Sequence, residues 1–219
     1  MAAEDRNNVD QFLKDYPGMA IRPSRDEGKV LKGTFKFCAT PPSGIEICDS
    51  YELEILVPAS FPRAIPMVKE LSRKIPRDGK HHINADDTLC LGSPLRLLRE
   101  LTDHPNLTGF SKQCIVPFLY AVSKKLQTGG DFAFSELAHG KPGIIDDYTE
   151  LLGLKTDNEV HQALTLLGMK RRIANKMACP CKCGKRLGSC RFHHKLNQYR
   201  RVAPRSWFKM HSKNIGVGN

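Results

Sequence analysis

Four of the eight cysteines, Cys179, Cys181, Cys183 and Cys190, fall within twelve consecutive positions, and nothing else in the chain limits its folding choices so sharply. The surrounding stretch, CPCKCGKRLGSCRFHH over residues 179–194, is short, basic and poor in apolar side chains. It cannot bury enough surface to hold itself together, so it needs a cross-link. In a reducing compartment, crowded cysteines read as metal ligands rather than disulfides. Tetrahedral zinc, which takes four thiolates or imidazoles, is the expected ion. The other four cysteines, Cys38, Cys48, Cys90 and Cys114, are dispersed and are expected to be single buried thiols unless a neighbour makes one reactive.

Charge divides the chain in the same place. Residues 160–219 carry 14 Lys and Arg and no Asp or Glu, whereas residues 1–159 balance 20 basic against 23 acidic side chains. A near-neutral body thus precedes a strongly basic segment. That segment suits an acidic partner, either nucleic acid or an acidic protein face, or it is simply a solubilising tail. No apolar run approaches a membrane span, and the start MAAEDRNNVD lacks the basic and apolar regions of a signal peptide. A cytoplasmic protein without membrane contact is expected.

Hydrophobic spacing predicts an α+β body. Val9, Phe12, Leu13 and Tyr16 mark a helix that Pro17-Gly18 ends. Residues 29–39 and 45–57 alternate as strands around the turn Thr40-Pro-Pro-Ser-Gly44, and residues 67–71 form a third strand after a proline-rich passage. Cys38 and Cys48 are then core strand residues. Helical segments are expected at 95–101, 111–126 and 146–152. A single amphipathic helix over 156–178 should set Val160, Ala163, Leu164, Leu167 and Ile173 on one side.

Cys90 lies in a polar, turn-like passage, His81-His82-Ile83-Asn84-Ala85-Asp86-Asp87-Thr88-Leu89-Cys90-Leu91-Gly92-Ser93-Pro94. Imidazole can orient or deprotonate a thiol, and an amide can donate to an oxyanion. Together with the preceding Phe61-Pro-Arg-Ala-Ile-Pro-Met-Val, this passage resembles the active-cysteine loop of divergent prokaryotic ubiquitin-conjugating (UBC-fold) proteins. Residues 134–140 (FSELAHG) are similar to a segment that follows the core in the same family. The resemblance covers roughly residues 5–155 and implies a helix, an antiparallel meander and C-terminal helices. It implies that Cys90 accepts an acyl group as a thioester, with Asn84 supporting the oxyanion or the loop and His82 in a structural place. It further implies an activating enzyme, a ubiquitin-like or target protein as cargo, and a bacterial antiviral-defence or protein-modification operon. The sequence departs from the eukaryotic pattern: His-Ile-Asn replaces His-Pro-Asn, and the only tryptophan is Trp207.

Two further readings bear on this loop. His104-Pro-Asn106 precedes Cys114 at a similar spacing, but Cys114 sits in an apolar helical pattern and reads as a core thiol, with Asn106 or Thr108 near a helix cap. His139 either approaches the Cys90 loop or is a turn histidine. A thiol hydrolase using Cys90 with His82 or His139 lacks a visible third orienting group.

The cysteine tail resembles the small zinc-binding SEC-C motif. Cys179, Cys181 and Cys190 match its ligands, but Arg191 stands where the fourth is expected, which leaves His193 as the replacement, with His194 and Cys183 behind it. The resulting division is a conjugating domain at 1–155, a linking helix at 156–178 and a zinc-binding basic tail at 179–219. Tyr199, Trp207 and Phe208 interleave with arginines, a composition that suits phosphate contact and base stacking. The rival to a conjugating enzyme is a UBC-fold adaptor that has lost conjugation and works through this tail.

Overall fold

The computed structural model of the protein describes residues 3–24, 27–42, 44–129 and 140–216. It is an α+β structure in two compact units, one made of Met1–Gly92 and Glu100–Glu136, the other of Ser93–Arg99 and Leu137–Asn219. Residue 139 and most of the FSELAHG segment lie outside the described residues.

The first unit opens with helix α1 (Ala3–Asp15), whose Val9 and Phe12 are buried, followed by buried Tyr16. Tyr16 stacks on Phe35 at 4.2 Å between ring centroids. Four strands follow, β1 (Met19–Arg22), β2 (Lys29–Ala39), β3 (Ile47–Val57) and β4 (Met67–Glu70), paired antiparallel in sequence order. Strand β1 was not legible from alternation, being only four residues long. Its close approach to β2 depends on Gly33, where a Cβ would meet the Gly18 carbonyl oxygen at 2.2 Å.

The hairpin β2–β3 is paired along its whole length, from Lys29↔Val57 to Ala39↔Ile47. Leu31, Phe35, Phe37, Tyr51, Leu53 and Ile55 form the buried face. Cys38 and Cys48 belong to the opposite face, directly across from one another, exposed and joined by a disulfide. The expectation of two core thiols is therefore corrected. Strand side chains alternate with a strict period of two, so even-numbered positions of β2 face solvent when Phe35 and Phe37 face the core.

Helix α2 (Pro94–Asp103) is followed by α3 (Leu107–Phe110), a π-turn over Ser111–Ile115 and α4 (Val116–Thr128). The wide turn has a covalent cause. Pro117 has no N–H to give to residue 113 and its ring crowds that carbonyl, so the helix loosens just ahead of it. Asn106 caps α3, its Oδ1 accepting the Gly109 N–H at 2.7 Å.

In the second unit, α5 (Lys141–Leu152) ends at Gly153 in the left-handed region (φ 64°). Helix α6 (Asp157–Gly168) begins with a side-chain cap: the Thr156 hydroxyl accepts from the Glu159 N–H, and the Glu159 carboxylate accepts from the N–H of Lys155, one residue before the cap, at 2.7 Å. Val160, Ala163, Leu164 and Leu167 are fully buried, so α6 is a core helix and not a linker. Nor does it run to residue 178. It stops at Gly168, and the Arg200 guanidinium donates to the carbonyls of Leu166, Leu167 and Met169 at and just past its end. After the break a short α7 (Arg171–Ala174) follows, and Ile173, expected on the buried side, is 46% exposed. The chain closes with a 3-10 turn (Leu187–Ser189), α8 (Phe192–Val202) and α9 (Arg205–Ile215).

Candidate functional site

Two candidate sites hold cysteines, one in each unit. The first is the loop after β4. Its return leg is pinned to the sheet by the bridge Lys69↔Thr88 and by the Leu89 N–H donating to the Val68 carbonyl at 2.7 Å. Within the loop, the Cys90 N–H donates to the His82 carbonyl at 2.8 Å and the Asn84 N–H to the Thr88 carbonyl at 2.8 Å. The turn tightens through His82 (φ 52°) and Asp87 (φ 64°). The tip is braced by side chains. Asn84 Nδ2 donates to Thr88 Oγ1 at 2.9 Å, and Thr88 Oγ1 donates to Asp86 Oδ1 at 2.6 Å. The structure thus brings Cys90, His82 and Asn84 into one loop, His82 reaching Cys90 through its backbone and Asn84 holding the tip.

A buried ion pair, not singled out in the sequence, anchors this loop at its root. Glu70, 2% exposed at the end of β4, accepts from Arg77 Nη1 at 2.9 Å, while Arg77 Nη2 donates to the Glu70 carbonyl at 2.7 Å. Arg77 Nε also reaches Asp87 at 3.3 Å. Burial alone would raise the Glu70 pKa. Hydrogen bonds from Ser72 and Arg77, with backbone N–H groups of Lys74 and Ser72, outweigh it and hold the carboxyl below its ordinary range. The available signal was alternation in β4, Met67-Val68-Lys69-Glu70, which puts Glu70 on the same face as buried Val68.

Cys90 is half-buried, and burial raises its thiol pKa, the Gly92 N–H offsetting only part. It is a neutral thiol at pH 7. Cys114 is buried inside the π-turn, where burial and the Glu100 charge push its thiol up to about 12.

The second group is the cysteine knuckle. Cys179 is buried, Cys181 and Cys190 are half-buried and Cys183 is exposed, yet the four sulfurs all lie within 4.8 Å of one another. Sγ–Sγ separations are 3.2 Å for Cys179–Cys181 and 3.6 Å for Cys181–Cys190. A zinc–sulfur bond of about 2.3 Å puts tetrahedral sulfurs roughly 3.8 Å apart, so the donor set fits a metal ion. The backbone builds the nest. The Cys179 N–H donates to the Lys185 carbonyl at 3.0 Å, Lys182 (φ 54°) and Gly184 (φ 75°) turn the chain, and the Cys190 N–H donates to Leu187 at 3.0 Å.

The sulfur cluster includes Cys183, whereas His193, the expected fourth ligand, is not among its four members. His193 lies in the first turn of α8, its Nδ1 is 2.7 Å from the Cys190 carbonyl, and its ring lies against His194 at 3.9 Å. The left-handed residues on either side of Cys183 fold its sulfur back over the other three. The His193 Nδ1 is instead engaged with the Cys190 carbonyl.

No protein family, curated protein or solved structure matches the chain. Among the described residues, no helix is long and apolar enough to cross a membrane.

Proposed function

We propose that the chain is a UBC-like acyl carrier that forms a thioester on Cys90. The observation that carries this reading is the placement of Cys90: a half-exposed, neutral thiol at the end of a braced loop that leaves the last strand of a four-stranded antiparallel meander. The order helix, meander, cysteine loop and helices follows that implied by the sequence resemblance. In the reaction, the Cys90 sulfur attacks the activated acyl carbon of a thioester delivered by an activating enzyme, and the departing thiol takes the proton. An amine then attacks the new thioester, and Cys90 leaves as a thiol. An unacidified thiol suits a carrier that must hold its cargo until an acceptor arrives. Asn84 keeps the loop in shape, and the Glu70–Arg77 pair holds its root.

The same proposal assigns zinc to the knuckle, with Cys179, Cys181, Cys183 and Cys190 as ligands and a structural role, since four protein ligands leave no open position. It also assigns a cytoplasmic setting, with a ubiquitin-like or target protein as cargo, in a bacterial antiviral-defence or protein-modification operon.

The test is to express the protein with its neighbouring genes and compare gels with and without reductant for wild type, Cys90→Ser and Cys114→Ser. Mass spectrometry identifies the adducts. A reductant-sensitive adduct in wild type and Cys114→Ser, absent or reductant-stable in Cys90→Ser, is expected. No Cys90-dependent adduct beside a demonstrably active activating enzyme would leave the adaptor reading in its place.

A further inference from the structure

The basic tail looked, as a sequence, like alternating cations and aromatic rings. Folding separates the two. Tyr199 and Phe208 are buried at 4% and 0% exposure, and Trp207 is half-buried, stacked on His211 at 4.4 Å and edge-on to Phe208. Tyr199 donates its hydroxyl to the Leu151 carbonyl. Tyr199 and Phe208 are core, and the ring of Trp207 is already engaged by His211 and Phe208. The cations remain outside: of the fourteen Lys and Arg in residues 160–219, twelve are exposed, the exceptions being half-buried Lys195 and Arg200.

Seven of the twelve lie between residues 170 and 186, and the fold draws them into one region. Arg171 and Arg172 lie in α7 and Lys170 and Lys176 flank it, while Lys182, Lys185 and Arg186 belong to the knuckle. The two stretches are stitched together by the bridge Ala178↔Arg186 and by the Leu187 and Gly188 N–H groups, which donate to Met177 and Asn175 at 2.8 and 3.0 Å. Among the described residues, none of the seven makes an ion pair, and no acid stands anywhere in residues 160–219. A divalent ion held by four thiolates carries a charge of about −2, which seven cations outweigh.

We infer that this joined surface, the α7 turn with the cysteine knuckle, binds the phosphate backbone of nucleic acid, without base stacking and without sequence preference. Dense cations without ion-pair partners match a polyanion, and the burial of Tyr199 and Phe208 removes two of the three rings that could stack on the bases of single strands. The rival occupant is an acidic protein, which would seat on exposed Ile173 and Met177 between the cations. This inference is independent of the chemistry at Cys90.

The experiment uses the full-length, metal-loaded protein and a fluorescently labelled DNA duplex of random sequence, read by anisotropy across a salt series. Affinity should fall steeply with salt, the log–log slope reporting roughly 0.9 per phosphate neutralised. Changing Lys182, Lys185 and Arg186 together to Gln should weaken binding at least about tenfold and flatten the slope by about 2 to 3. Ile173→Ser with Met177→Ser should leave duplex binding unchanged, and single strands should bind no more tightly than duplex. Metal content and circular dichroism check that each variant folds. If the knuckle variant loses metal, Arg171→Gln with Arg172→Gln takes its place, with a slope reduced by about 2 expected. Wild-type binding by the folded charge variant would overturn the inference. So would tighter binding of polyglutamate than of duplex, or loss of duplex binding on changing the two apolar residues.

Discussion

At the scale of single residues, the two cysteine sites make opposite demands on a thiol. As the proposed acyl carrier, Cys90 needs to stay neutral and reachable, and burial raises its pKa while leaving it half-exposed. Its alkylation by iodoacetamide should therefore continue to accelerate with pH beyond the ordinary thiol value of 9.0, a profile measurable by mass spectrometry on the Cys90 peptide. Cys183 is the reverse case: exposed, and lowered to about 7 by the Lys185 N–H and its neighbouring sulfurs. Cys183→Ser should lose bound metal, whereas His193→Ala should keep a full complement, as measured by metal-to-protein ratio. Equal loss in both would return the histidine to the ligand set. Glu70 offers a pH test. Its carboxyl is held below 4.5, so its contribution is present above that value and fades as pH falls through the lower folded value. Glu70→Gln should cost about 1–3 kcal/mol at pH 7, and less in acid, by denaturant titration. A gap that stays constant with pH would mean that the charge is not what stabilises the loop root.

At the scale of elements, periodicity located most helices and strands but did not say where each would stop or which face would be wet. The α6 cap, Thr156-Asp-Asn-Glu159, stands plainly in the sequence, and so does the apolar stripe through Val160 and Leu164. The end of α6 does not, because it is completed by Arg200, more than thirty residues further on. This is why Ile173 was expected inside and lies outside. Leu164→Ala should destabilise the protein by about 2–5 kcal/mol, and Ile173→Ala by less than about 0.5, in thermal or urea unfolding. Similar costs at the two positions would mean that one helix continues through both. In β2 the alternation itself was legible, but the phase was misjudged at Cys38, where one step along the strand exchanges core for solvent.

At the scale of the whole molecule, the second unit draws on every part of the chain after residue 137 and also on Ser93–Arg99. Asp147 of α5, fully buried, accepts from Ser93 and from Arg96 Nε at 2.9 Å, and Tyr148 pairs with His211 at 2.7 Å. The tail is therefore not an appendage, and removing metal should be felt beyond the knuckle. Trp207, the only tryptophan, reports this unit. A chelator should lower the urea midpoint followed by its fluorescence, and added zinc should restore it; an unchanged midpoint would confine the metal to a local role. What the sequence by itself determined is local chemistry: three of the four clustered sulfurs proposed as ligands, the basic character of residues 160–219, the meander and the loop around Cys90. These are readable because they depend on residue type and short spacing. The tertiary structure decided the rest: the place of Cys183 in the sulfur cluster, the Cys38–Cys48 pairing, the burial of Tyr199 and Phe208, and the role of Glu70 and Arg77. Each of those turns on which side a backbone presents a group to, and on partners distant in sequence, so it becomes visible only when the chain is folded.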